Sequence, residues 1–228
     1  VRVRKEVSSV SSETDIGFLA DGSLDTATLL TFASDADSGD VFVDTWYDQS
    51  GNSNDATQGT ATEQPKIVDS GSLVVDDQGI VGMDFDGVNH TFDNVYDNTG
   101  QGVDFYAYSV GQKTDFPVNG ATRGAMFGDG VDFYLRFSES AGGELEGQLR
   151  QQPGSTLFTA GKSISGESAP IRSLSDMINA DNELVVGFNG SDSIAIDTTA
   201  LTALDGGAVS IGSRSGNDLW KGILQEHV

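Results

Sequence analysis

Short runs in which apolar and polar residues alternate recur along the chain, broken by turns rich in glycine, asparagine and aspartate. A period of two marks a strand with one face buried. It predicts strands over Val41–Trp46, 80–85, 105–110, 132–137, Glu183–Phe188, 193–197, 208–212 and 219–224. In 132–137, Phe133, Leu135 and Phe137 share one face, and Asp132, Tyr134 and Arg136 the other, as in a half-buried antiparallel strand. Val41 and Val43 oppose Phe42, Asp44 and Trp46 in the same way. Two segments carry helical spacing instead. Asp25 is placed to cap 26–32, with Ala27, Leu29 and Leu30 inward; 173–179 would turn Leu174, Met177 and Ile178 inward. Strands at this spacing predict an all-β sandwich of two antiparallel sheets with one or two short helices. Gly142-Gly143 and Pro153-Gly154 read as turns, and nothing divides the chain, so residues 1–228 are expected to form a single domain.

Composition narrows the chemistry. The 29 glycines against 4 prolines fit frequent turns, and the absence of cysteine excludes disulfides and thiol catalysis. At 228 residues the chain is long enough to bury a core without them. Acidic residues number 35 against 12 basic ones, a formal charge of −23. Such a field repels phosphate backbones and anionic membranes, so nucleic acid is not an expected partner. No run approaches the roughly 18 apolar residues of a membrane span, and membrane insertion is not expected. The chain starts at Val1 without methionine and stops in a strand-like phrase, 224–228, which reads as part of a longer polypeptide.

One loop is unusually specified. Trp46-Tyr47-Asp48-Gln49-Ser50-Gly51-Asn52 follows a predicted strand and continues through Asn54 and Asp55 to Gln58. Together with Asp15-Ile16-Gly17-Phe18, Leu24-Asp25-Thr26 and Gln64-Pro65-Lys66-Ile67-Val68, it resembles the front of the catalytic domain of fungal-type arabinofuranosidase B. The same segment occurs in bacterial and phage surface proteins. A second set, Gly82-Met83-Asp84-Phe85-Asp86-Gly87, Ser210-Ile211-Gly212 and Trp220-Lys221-Gly222-Ile223-Leu224-Gln225-Glu226, is similar to laminin-G and concanavalin A-like lectin/glucanase sandwiches. The resemblance implies a concanavalin A-like jelly roll. It does not imply catalysis, because the Met-Glu-Tyr nucleophile phrase and the cysteines of those enzymes are absent here. It also implies that the Trp-Tyr-Asp-Gln-Ser-Gly phrase is scaffold.

Candidate chemistry follows from residue types. Asp48, Asn52, Asn54 and Asp55 crowd oxygen atoms of the kind calcium takes around Gly51; the competing reading is a set of Asx turns. Asp129 and Asp132 carry the same ambiguity. Sugars stack on aromatic rings beside polar groups. Trp220 with Arg214, Asn217 and Asp218 fits that description unless its ring is a core anchor, and Tyr106 or Tyr108 fits it as well. Glycoside hydrolysis needs two facing carboxyls, for which Glu144 and Glu146 are the pair to test, with Glu139 near them. His90 and His227 have no partner motif, so neither a zinc site nor a hydrolytic triad is predicted. The expectation is therefore a non-catalytic, lectin-like module of a virion or extracellular surface. Its expected partners are a surface polysaccharide, neighbouring structural proteins or further copies of itself. A glycoside hydrolase and a purely architectural packing domain are the alternatives.

Overall fold

The computed structural model describes residues 1–97, 104–114, 124–129, 133–138, 144–150, 157–164, 171–193, 195–202, 207–213 and 219–227. The chain opens with β1 (Arg2–Val7), β2 (Val10–Asp15) and α1 (Thr26–Ala33), then β3 (Val41–Trp46), β4 (Ala56–Thr57), β5 (Lys66–Asp69), β6 (Ser72–Leu73) and β7 (Met83–Asp86). It continues through β8 (Phe92–Asp97), β9 (Phe105–Lys113), β10 (Gly124–Gly128), β11 (Phe133–Ser138), β12 (Glu144–Arg150) and β13 (Leu157–Ser163). It closes with β14 (Ile171–Ala180), β15 (Glu183–Phe188), β16 (Ser191–Asp192), β17 (Ile196–Asp197), β18 (Ala208–Ile211) and β19 (Lys221–His227).

These strands build an all-β sandwich of antiparallel ladders. One sheet runs β2-β1-β3-β5-β7-β19-β9-β14-β15, with β16 and β17 beyond β15. The other runs β8-β18-β10-β11-β12-β13. They join where Thr57 of β4 pairs with Asp93 of β8. Aromatic rings fill the space between them. Phe85 meets Phe92 edge-on at 6.1 Å, Phe105 meets Phe133 at 5.3 Å, and Phe137 meets Phe188 at 6.3 Å. Where rings are large, the facing positions are small. A Cβ on Gly212 would stand 2.2 Å from the Phe85 ring, and one on Gly147 would stand 2.6 Å from Met177 and Val186.

Several expectations change in the structure. Residues 173–179 lie within β14, not in a helix. Their inward face is Ser173, Ser175, Met177 and Asn179, while Leu174 is exposed. Nine cross-strand pairs with β9 override the local spacing of Leu174, Met177 and Ile178. The helix α1 is capped as expected, with Asp25 accepting from the Thr28 N–H at 3.0 Å and the Thr28 hydroxyl at 2.7 Å. Its buried residues are Leu29 and Ala33, one turn apart, whereas Ala27 and Leu30 face solvent. In β11, Phe133, Leu135 and Phe137 face the core as expected, but Tyr134 and Arg136 are buried as well. The strand is therefore buried on both faces, not half-buried. Gly142-Gly143 and Pro153-Gly154 lie outside the described residues.

Among the described residues, no helix is long and apolar enough to cross a membrane.

Candidate functional site: an aromatic and acidic face on one sheet

The alternation of β9 sends Phe105, Ala107, Ser109, Gly111 and Lys113 toward the core and leaves Tyr106, Tyr108 and Val110 on the opposite face. The ladders fix what stands beside those tyrosines. Tyr106 pairs with Ile178 of β14, which pairs with Val185 of β15. One step along, Tyr108 pairs with Asp176, which pairs with Gly187. Cross-strand neighbours on one face sit close enough for one small ligand to touch both. Tyr106 is 71% exposed, the highest value among the aromatic residues described as exposed.

Gly187 is what opens the site. A Cβ there would lie 2.2 Å from Asp176 Oδ1, so the carboxylate occupies space that any other residue would fill. Among the described residues no hydrogen-bond donor reaches that carboxylate. Partial burial, and then the charge of Asp192, push its pKa above the ordinary aspartate value. Asp192 reaches the site because it pairs with Gly187 from β16. The result is a ring face, a half-exposed carboxylate with free lone pairs, and a second carboxylate beside it. That combination suits a ligand with an apolar ring face and hydroxyl donors.

The candidates named from sequence fall elsewhere. Trp220 is fully buried, with Phe137 at 5.6 Å and the Lys113 ammonium 5.3 Å from its ring centre. It is a core anchor and offers no face for stacking, which corrects the reading of it as a sugar platform. Arg214, Asn217 and Asp218 lie outside the described residues, as do Glu139, Asp132 and the side chains of Glu144 and His227. Glu146 is described and is already engaged. Its Oε1 accepts from the Tyr134 hydroxyl at 2.7 Å and from Arg136 at 3.2 Å, and the Gln148 side chain also contacts that hydroxyl. Asp129 accepts from the Phe133 N–H at 2.8 Å. His90 stands 3.6 Å from Asp86.

The Asp48 loop is held by its own hydrogen bonds. Asp48 accepts from the Ser50 N–H at 2.7 Å, the Ser50 hydroxyl at 2.8 Å and the Asn54 N–H at 3.0 Å. Asp55 accepts from the Asp48 N–H at 2.8 Å. The Ser50 hydroxyl and these N–H groups lower the Asp48 pKa to about 2. Tyr47 donates to Asp15 at 2.7 Å, tying the loop to β2. Farther along, buried Gln58 donates to the Thr91 carbonyl at 2.9 Å and buried Gln64 to the Gln58 carbonyl at 2.7 Å. The phrase that carries the arabinofuranosidase resemblance is thus a set of cross-links between strands. Among the described residues no group of three or more His, Asp or Glu is arranged to hold a metal.

Asp176, Gly187 and Asp192 were missed from sequence because 173–179 carries helical spacing. Read as a strand, it would have set Asp176 on the face opposite Met177. Compared with known proteins, the chain matches no family model and no curated protein.

Proposed function

We propose that this protein is a non-catalytic glycan-binding module of an extracellular or virion surface, and that it binds on the outer face of β9, β14 and β15. The observation that carries the reading is Tyr106, whose ring is open to solvent one register step from the Asp176 carboxylate. A pyranose presents a C–H face that stacks on a tyrosine and hydroxyls that donate to carboxylates. The formal charge of −23 makes a neutral sugar the suitable class, since uronates and sulfated glycans would be repelled. The resemblance to lectin-like sandwiches adds weight. Repeated copies on a surface would offset a weak single site.

The test is affinity electrophoresis through gels that hold neutral polysaccharides, comparing wild type with Tyr106→Ala and Asp176→Asn. Retardation of the wild type that both substitutions abolish supports the reading; equal mobility of all three rejects this face.

One observation favours hydrolysis as a second reading. Asp176 has a raised pKa and a second carboxylate beside it, as a general acid and its partner do. Release of reducing sugar that is lost in both Asp176→Asn and Asp192→Asn would establish it. Binding without release would leave the module non-catalytic.

A further inference from the structure

Two small hairpins stand beside each other where β1, β3, β5, β7 and β19 converge. In the first, Phe18 pairs with Leu24 and the Leu19 N–H bonds to the Ser23 carbonyl at 2.8 Å. In the second, Val75 pairs with Val81 and the Asp76 N–H bonds to the Ile80 carbonyl at 2.9 Å. Between them lies a cleft of about 410 Å³, within the range of ligand pockets. Phe18, Leu19, Leu24, Ile80 and Val81 form its walls, and Trp46 lies against it. Phe18, Leu19 and Ile80 are each half exposed.

Those apolar side chains are held out by design of the hairpins, not by a loose loop. Asp21 accepts from the Ser23 N–H at 2.9 Å and its hydroxyl at 2.6 Å. Asp76 accepts from the N–H groups of Gln78 at 2.9 Å and Ile80 at 2.8 Å, from Gln225 at 3.0 Å, and from Arg172 at 2.8 Å. A pinned hairpin that keeps large apolar groups in water is preorganised for a partner, because ordering has already been done.

The charge around the cleft says what kind of partner. Asp21 lies between wall residues Leu19 and Leu24, Asp25 follows Leu24, and Asp77 lies in the second hairpin. Hydrogen bonds from Ser23 and from Thr28 hold Asp21 and Asp25 ionised. The cations beside the cleft are committed: the Val1 ammonium in its lining donates to the Ile16 carbonyl at 2.9 Å, Arg172 is paired with Asp76, and Arg2 with Asp15. The rim is therefore anionic over an apolar floor.

We propose that this cleft docks a cationic peptide segment of a partner protein, one that inserts a large apolar side chain between flanking lysines or arginines. The apolar side chain covers Phe18 and Ile80, and the flanking cations meet Asp21, Asp25 and Asp77. This site is distinct from the tyrosine face, and its partner is a protein, not a sugar.

The probe is the synthetic peptide Lys-Lys-Leu-Phe-Lys-Lys, titrated by calorimetry and by tryptophan emission. Of the 2 tryptophans, Trp46 lines the cleft and Trp220 is buried, so an emission change that disappears in Trp46→Phe locates binding. Saturable binding is expected, weakened about tenfold or more by Phe18→Ser and by Ile80→Ser. Leu19→Ser, at a hairpin tip, is the reserve variant should either lose its melting transition. Glu-Glu-Leu-Phe-Glu-Glu should not bind. The proposal is overturned if the lysine peptide does not bind, if Lys-Lys-Ser-Ser-Lys-Lys binds equally well, or if the folded variants bind as the wild type does.

Discussion

Asp176 stands in register with Tyr108 on one side and with Gly187 on the other. The tyrosine supplies a wall, and the glycine supplies the space into which the carboxylate leans. Neither strand alone makes the site. It exists because β14 pairs with both β9 and β15 and holds three strands in one alternation.

The site carries a pH signature. The Asp176 pKa is raised in the folded protein, first by burial and then by Asp192, so its ionised form weighs against the fold. That cost is present above the raised pKa and disappears as pH falls through it. Asp176→Asn should therefore melt higher than wild type at neutral pH, with the two converging as the solution is acidified through the raised value. Melting curves across pH check this; a lower Tm for Asp176→Asn at neutral pH would contradict it.

Asp48 shows the opposite sign. Its pKa is lowered from 3.8 to about 2, so the stabilisation it gives is complete above 3.8 and is lost as pH falls from there toward 2. Asp48→Ala should lower Tm by a few degrees at neutral pH and make stability less sensitive to acid in that window. Because the loop is closed by its own N–H and hydroxyl donors, EDTA and calcium should leave Tm unchanged. A rise in Tm with calcium would show a bound ion that these hydrogen bonds do not account for.

Gly212 tests the packing between sheets. Its φ is +77° and a Cβ would lie 2.2 Å from the buried Phe85 ring. Gly212→Ala should cost about 2–4 kcal/mol, from overpacking and left-handed backbone together. Gly59→Ala, with nothing within 4 Å of its Cβ, should change stability by less than about 0.5 kcal/mol. Denaturant midpoints for the two variants give the comparison.

Trp220 separates core from site. Trp220→Ala should cost about 3–5 kcal/mol by leaving a cavity beside Phe137. Any protein that remains folded should retain its glycan affinity. A variant that melts normally but no longer binds glycan would return Trp220 to the site.

What was legible in the sequence was the strand whose burial follows polarity. Phe133, Leu135 and Phe137 alternate cleanly, and Glu183–Phe188 is bounded by turns; both segments are strands in the structure. The Asp25 cap was visible because its side chain acts on residues three positions away. The hairpin of β1 and β2 was not predicted. Its inner strand buries Arg4 and Lys5, which are held by Gln64, Glu6, Asp35 and the Phe32 carbonyl, and β2 is a polar edge. Composition hides a strand whose buried residues are charges paired from elsewhere. The tyrosines of the candidate site were readable as rings on which a sugar could stack. Their acidic partner was not, because the inward face of β14 is mostly serine and asparagine, and long-range pairing, not local pattern, sets its conformation.

The most direct test is a broad glycan array probed in parallel with wild type and Tyr106→Ala. The account predicts saturable binding of the wild type to one class of neutral glycan, and its loss in Tyr106→Ala at unchanged Tm. A blank array for the folded wild type, or binding that survives the loss of Tyr106, would contradict it.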